Sequence, residues 1–173
     1  EKPLSESVDE TKKLIDLAKK KKVKLFVSDL YNYYSNKVNK LKIENLVYRS
    51  KLVNKLDKEF FYRFMYHDIS ILHKFFKKNK LINFSVYKKS KKNIFKITIL
   101  FKNKKSLIFL YNLRGKKKSH FINNLEIKSN KDLLGEMIRK VLKKNIDFKD
   151  NNNKALFIIK LIKKIKQKLN YAN

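Results

Sequence analysis

The residues best placed to do chemistry are lysines. The stretch LFKNKKSLIFLYNLRGKKKSHF, residues 100–121, sets Lys102, Lys104, Lys105, then Arg114, Lys116, Lys117 and Lys118 on turns around an apolar run. Ammonium groups held on turns neutralise phosphates as point charges, without the planar fork that reads base edges. Of 45 basic residues only Arg49, Arg63, Arg114 and Arg139 are arginine, so charge neutralisation is favoured over base readout. Other chemistries fall away one by one. The absence of cysteine removes thiolate metal sites, disulfides and cysteine nucleophiles. His67 and His73 lie six residues apart and so point to different faces of a helix, unlike an i,i+4 metal pair. With Gly115 and Gly135 the only glycines, neither a P-loop nor a dinucleotide loop can be built. This reading finds no catalytic residue, no metal and no cofactor, and expects a protein that is not an enzyme and takes no small-molecule substrate.

The whole chain must position these lysines. Its 173 residues carry a formal charge of +30 and a pI near 10.1, beyond what solubility requires, so a polyanionic partner is expected. At 43% hydrophobic and 13% aromatic it is too apolar for a disordered tail and should bury a real core. No apolar run reaches the ~18 residues of a membrane span.

The periodicities give an α+β fold: a small antiparallel sheet meander packed on helices, with N- and C-terminal helical extensions. Residues 1–26 read as a basic helical extension, Ser7 capping a helix with Glu10 three residues on. Leu30, Tyr34 and Val38 suggest a helix over 27–40, and 42–48 a short strand. Val53, Leu56, Phe60, Phe64, Ile71, Leu72, Phe75 and Phe76 predict a long or broken helix reaching about residue 80. The period then changes to two. Ile82, Phe84 and Val86, then Phe95, Ile97, Ile99 and Phe101, then SLIFLYNL form three strands, with KNKK a tight reversal and FINNLEI a further short strand. Gly115 is expected at positive φ in its turn. After residue 128, Ser129 and Asp132 stand at a capping spacing before a helix with Leu133, Leu134, Met137, Ile138, Val141 and Leu142 on one stripe. Residues 146–153 read as a polar linker. Beyond it, Ala155, Ile158, Ile162, Ile165 and Leu169 form an apolar seam edged by lysines, which suits docking on a neighbouring protein and RNA.

The run from ILHKFF to NNLEI, residues 71–127, resembles the first domain of small-subunit ribosomal protein eight. Phe101 to Lys105, Ser106 to Phe109 and Arg114 to Lys116 match that family's turn, strand and turn in spacing. Upstream, Asp29, Leu30 and Asn36 resemble its opening helix, and Ser50, Lys51 and Leu52 its Ser-Lys-Leu. The chain departs by an insertion between Ser50 and Ile82, a turn without its proline, and no Ser-Thr-Ser-Lys-Gly loop. A second resemblance, to the KH-containing third protein of the small subunit, covers the helix after residue 130 but lacks a Gly-x-x-Gly loop.

The resemblance implies an RNA-binding domain over 27–127, a C-terminal helical region over 128–173, and a structural constituent of the small ribosomal subunit that binds rRNA. Its RNA-facing residues are expected to be Asn36, Lys37, Arg49, Ser50, Lys51, Lys102, Lys104, Lys105, Arg114, Gly115, Lys116, Lys117, Lys118 and His120, with Lys160, Lys163 and Lys164 from the last helix. Lysine-rich, Asn- and Ile-rich usage points to an AT-rich genome and a mitochondrial ribosome, with a plastid or an AT-rich organism's cytoplasm as alternatives. A non-ribosomal basic module binding nucleic acid or a membrane surface is the competing reading.

Overall fold

A computed structural model describes residues 2–28, 30, 46–50, 57–78, 81–89, 93–115, 117–127, 132–143 and 146–171. Of the expected helix over 27–40, residues 29 and 31–40 lie outside these residues, as does Ser129.

Period-two segments build a six-stranded sheet. Its strands are β1 (Leu46–Ser50), β2 (Leu81–Lys89), β3 (Ile94–Phe101), β4 (Ser106–Asn112), β5 (Ser119–Ile122) and β6 (Leu125–Glu126). The order is β2-β3-β4-β1-β5-β6. The β2-β3-β4 meander pairs antiparallel, Phe84 opposite Ile99 and Ile97 opposite Phe109, as the alternation predicts. What the sequence did not show is that β1 inserts between β4 and β5, parallel to the first and antiparallel to the second. The α+β class holds.

One sheet face is dry. Phe95, Ile97, Ile99, Phe101, Leu107, Phe109, Tyr111 and Ile122 are buried there, so alternate side chains form a continuous apolar layer. Helices cover it. They are α1 (Val8–Lys20), α2 (Tyr66–Ile71), α3 (His73–Lys78), α4 (Leu133–Leu142) and α5 (Phe148–Tyr171), with a π-helical segment, Phe60–Met65, leading into α2. Phe60 meets Phe95 and Tyr111 edge-on, at ring separations of 5.5 and 4.9 Å. The wider π turn lets the consecutive Phe60, Phe61 and Tyr62 all bury, which successive positions of a regular helix rarely do.

Three expectations change. The seam of α5 is not free to dock on a neighbour: Ile158, Ile162 and Ile165 are buried in the chain's own core, because α5 packs on α2, α1 and β2. The polar linker is shorter than read, since α5 starts at Phe148; Asn151 within it clamps the chain's own Val27, accepting from its N–H at 2.8 Å and donating to its carbonyl at 3.0 Å. Gly115 does not have positive φ; the left-handed residues are Lys22, Asn93, Lys104 and Asn123. The reversal after β3 is therefore made by Lys104, whose N–H donates to the Phe101 carbonyl at 3.0 Å. Ser7 caps α1 as the spacing implies, accepting from Glu10 N–H, while the cap of α4 is Asp132 itself, accepting from Gly135 N–H. The stripe on α4 is only partly used: Leu133 is buried while Leu134, Ile138 and Leu142 stay exposed.

Candidate functional site

The lysine clusters do not converge. Lys102, Lys104 and Lys105 are exposed at the start of β4, whereas Arg114, Lys117 and Lys118 are exposed beyond its end. A seven-residue strand separates them, about 23 Å at ~3.3 Å per residue. Lys160, Lys163 and Lys164 are exposed on α5, on the other side of the core from the sheet's open face. Arg49 and Ser50 belong to β1, at its Arg114 end, with backbone alone described. Asn36, Lys37, Lys51 and Lys116 lie outside the described residues. His120 turns inward and is 8% exposed.

A concave site forms elsewhere, where the N-terminal segment crosses the π-helical turn. A cleft of about 520 Å³ is lined by Lys2, Pro3, Glu6, Leu30, Lys58, Glu59, Tyr62, Arg63 and His67. The Lys2 ammonium donates to the Tyr62 carbonyl at 2.9 Å and to the Arg63 carbonyl at 3.3 Å, and lies 5.8 Å from the Tyr66 ring centre. Carbonyl dipoles and a ring face help to solvate the cation. At the rim, Lys58 pairs with Glu6 at 3.1 Å and Arg63 with Glu59 at 2.6 Å, both pairs largely exposed. His67 comes from the first turn of α2 and is 7% exposed, its ring edge-on to Tyr66 at 6.3 Å.

Behind His67 the next residue, Asp68, is fully buried. One of its oxygens lies 2.9 Å from His120 Nε2 and the other accepts from the Tyr111 hydroxyl at 3.0 Å. The turn that presents His67 is thereby tied to β4 and β5. Sequence reasoning weighed His67 only as a metal ligand and passed over Lys2. The visible signal was a histidine followed by an acid inside an otherwise apolar helix, HDISIL.

The cleft thus brings an imidazole, a group that can accept a proton, together with an ammonium, a donor to oxygen. No group of three or more His, Cys, Asp or Glu side chains placed to hold a metal occurs among the described residues.

No family model matches the sequence, and no curated protein matches it. Solved structures do match the fold. UDP-N-acetylglucosamine 3-dehydrogenase GnnA from Acidithiobacillus ferrooxidans aligns over 96% of this chain and 68% of its own, with TM-score 0.69 and 9% identity. A dehydrogenase from Chromobacterium violaceum aligns over 95% and 67%, with TM-score 0.63 and 12% identity. Aldose-aldose oxidoreductase from Caulobacter crescentus aligns over 99% and 69%, with TM-score 0.60 and 10% identity. The fold is thus one found in dehydrogenases. This overturns the resemblance to ribosomal protein eight and, with it, the expected ribosomal role, the rRNA partner and the non-enzymatic reading. The physical reason for the error is local: the resemblance rested on a helix, a lysine-rich turn and a strand meander, whereas the parallel insertion of β1 and the burial of α5 come from contacts distant in sequence.

Dehydrogenases pass hydride to a dinucleotide, and the described residues do not fit one. The sheet is mostly antiparallel and not doubly wound, and the cradle of glycines that lets backbone approach a pyrophosphate is missing. Gly135 is part of a helix start, where a Cβ would collide with the capping Asp132 side chain.

Proposed function

We propose that this domain is the substrate side of an oxidoreductase acting on a sugar or polyol, with the cleft between Lys2 and His67 as the place where the hydroxyl binds. The observation that carries the reading is the convergence of Lys2 and His67 in one cleft, on a fold shared with a UDP-N-acetylglucosamine dehydrogenase and an aldose-aldose oxidoreductase. In this arrangement His67 takes the proton of the substrate hydroxyl as the carbon is oxidised, and the Lys2 ammonium steadies the oxygen on which charge develops. Tyr62 and Tyr66 supply an apolar wall that keeps water from the reacting face. The domain's share is binding and proton handling, and the hydride would pass to a separately bound dinucleotide.

The test is ligand-induced thermal stabilisation of the full chain by a panel of neutral sugars and inositols. A ligand present at 100 times its dissociation constant stabilises by about 2.7 kcal/mol, which is several degrees in melting temperature. Stabilisation by at least one member, lost in Lys2→Ala and in His67→Ala, is expected. A panel that shifts nothing overturns the proposal.

A further inference from the structure

We infer that a second cavity, adjoining the cleft across Tyr62, is a phosphoryl-binding subsite, so that the substrate carries a phosphate or diphosphate group; assigning that anion to the substrate rests on the reading of the cleft given above. The cavity measures about 390 Å³, and Glu6 and Tyr62 line both it and the cleft. Tyr62 is the shared wall. Its carbonyl holds Lys2 on the cleft side, and its hydroxyl lies 3.4 Å from Lys166 Nζ in the second cavity.

Lys166 is not a freely swinging surface lysine. Its ammonium sits 5.2 Å from the Tyr62 ring centre and 5.7 Å from that of Phe61, held by ring faces and a hydroxyl, none of which carries a negative charge. Lys163 precedes it by three residues on α5 and so shares its face. Among the described residues neither lysine enters an ion pair. The cavity's one acid, Glu6, is engaged by Lys58 at 3.1 Å. Two ammonium groups therefore face a cavity whose only carboxylate is already partnered, with the Gln167 amide beside them as a neutral donor. That balance favours a compact dianion over a neutral sugar face, and its place next to the cleft suits one molecule with a hydroxyl in the first space and a phosphoryl group in the second.

A chain of net charge +30 attracts any anion, so the test must separate this site from bulk charge. Pyrophosphate, glucose 1-phosphate and UDP are titrated into the full chain by calorimetry at about 0.15 M salt, where exposed charges more than ~8 Å apart are screened. One-to-one binding is expected, weakened at least tenfold by Lys163→Ala and by Lys166→Gln. The control is the Lys20→Ala, Lys21→Ala double variant at the far end of α1, about 20 Å from the cavity at ~1.5 Å per helical residue. It should leave affinity unchanged. Equal weakening by the control, or no weakening by the exposed and structurally undemanding Lys163→Ala, overturns the inference. Tighter binding of UDP than of pyrophosphate identifies a nucleotide-linked substrate, and equal binding of glucose 1-phosphate and pyrophosphate a sugar phosphate; either supports the subsite. Lys2→Ala should abolish stabilisation by neutral sugars and spare pyrophosphate binding, so the cleft reading and the subsite fail separately.

Discussion

The imidazole of His120 on β5 lies 2.9 Å from the carboxylate of Asp68 on α2, with Asp68 fully buried and His120 nearly so. Tyr111 of β4 donates to the other oxygen, so two strands hold the turn next to the cleft through one acid. Asp68→Ala leaves these groups without that acceptor in a dry interior. Taking the acceptor away from the buried Tyr111 hydroxyl costs about 1 to 3 kcal/mol, and a loss of that order should appear in urea unfolding. A loss below ~1 kcal/mol would show that the carboxylate holds nothing in place.

The seam of α5 belongs to the core of this chain and not to a neighbour. Ile162 is fully buried, so Ile162→Ala should destabilise the isolated protein by about 2 to 5 kcal/mol and Ile162→Val by about 0.5 to 1.5 kcal/mol. Lys164→Ala, on the exposed side of the same helix, should change stability by less than about 0.5 kcal/mol. Equilibrium unfolding of the three variants measures this directly, and a neutral Ile162→Ala would return the seam to the surface.

Asp150, in the first turn of α5, accepts a short hydrogen bond from Lys77 of α3. That hydrogen bond first, then the charges of Lys77, His73 and Lys154, holds its carboxyl below the usual value of 3.8 against the opposing effect of partial burial. A depressed carboxylate contributes stability above its unfolded pKa and loses it as pH falls through the folded one. The contribution should be full at neutral pH and fade below about pH 3.8. Because the pair is about half exposed, its worth is small, of the order of 0.2 to 1 kcal/mol. Asp150→Asn should therefore be slightly less stable than wild type at pH 7, with the difference closing in strong acid. A gap that widens on acidification would refute the assignment.

Backbone strain at the β3–β4 reversal belongs to Lys104, at φ 61°. Lys104→Gly should relieve it and stabilise by roughly 0.5 to 1 kcal/mol, within the cost of holding an L-residue there. Gly115, which does not have positive φ, should accept alanine with a change of less than about 0.5 kcal/mol. Thermal melts of both variants check the pair, and the opposite order would place the strain at Gly115.

The sequence determined by itself what depends on near neighbours along the chain. The period of two over Phe95, Ile97, Ile99 and Phe101 marks a half-buried strand wherever it occurs, and Ser7 and Asp132 cap their helices through atoms only three residues away. The meander, the helical end and the α+β class were legible for that reason. Charge was legible too, but not its arrangement: a count of +30 cannot say that Lys104 and Lys118 end up at opposite ends of a strand. What the tertiary structure decided rests on contacts distant in sequence. Lys2 meets the carbonyls of Tyr62 and Arg63 across about sixty residues, and Lys166 reaches Tyr62 across 104. Asp68 finds Tyr111 and His120 only after β1 has inserted between β4 and β5. The apolar seam of α5 shows the same limit, because its period fixes a helix with one dry face while the choice between the chain's own sheet and a foreign surface lies in how the elements pack. Periodicity is a local property, and a cleft is made by residues that share no period.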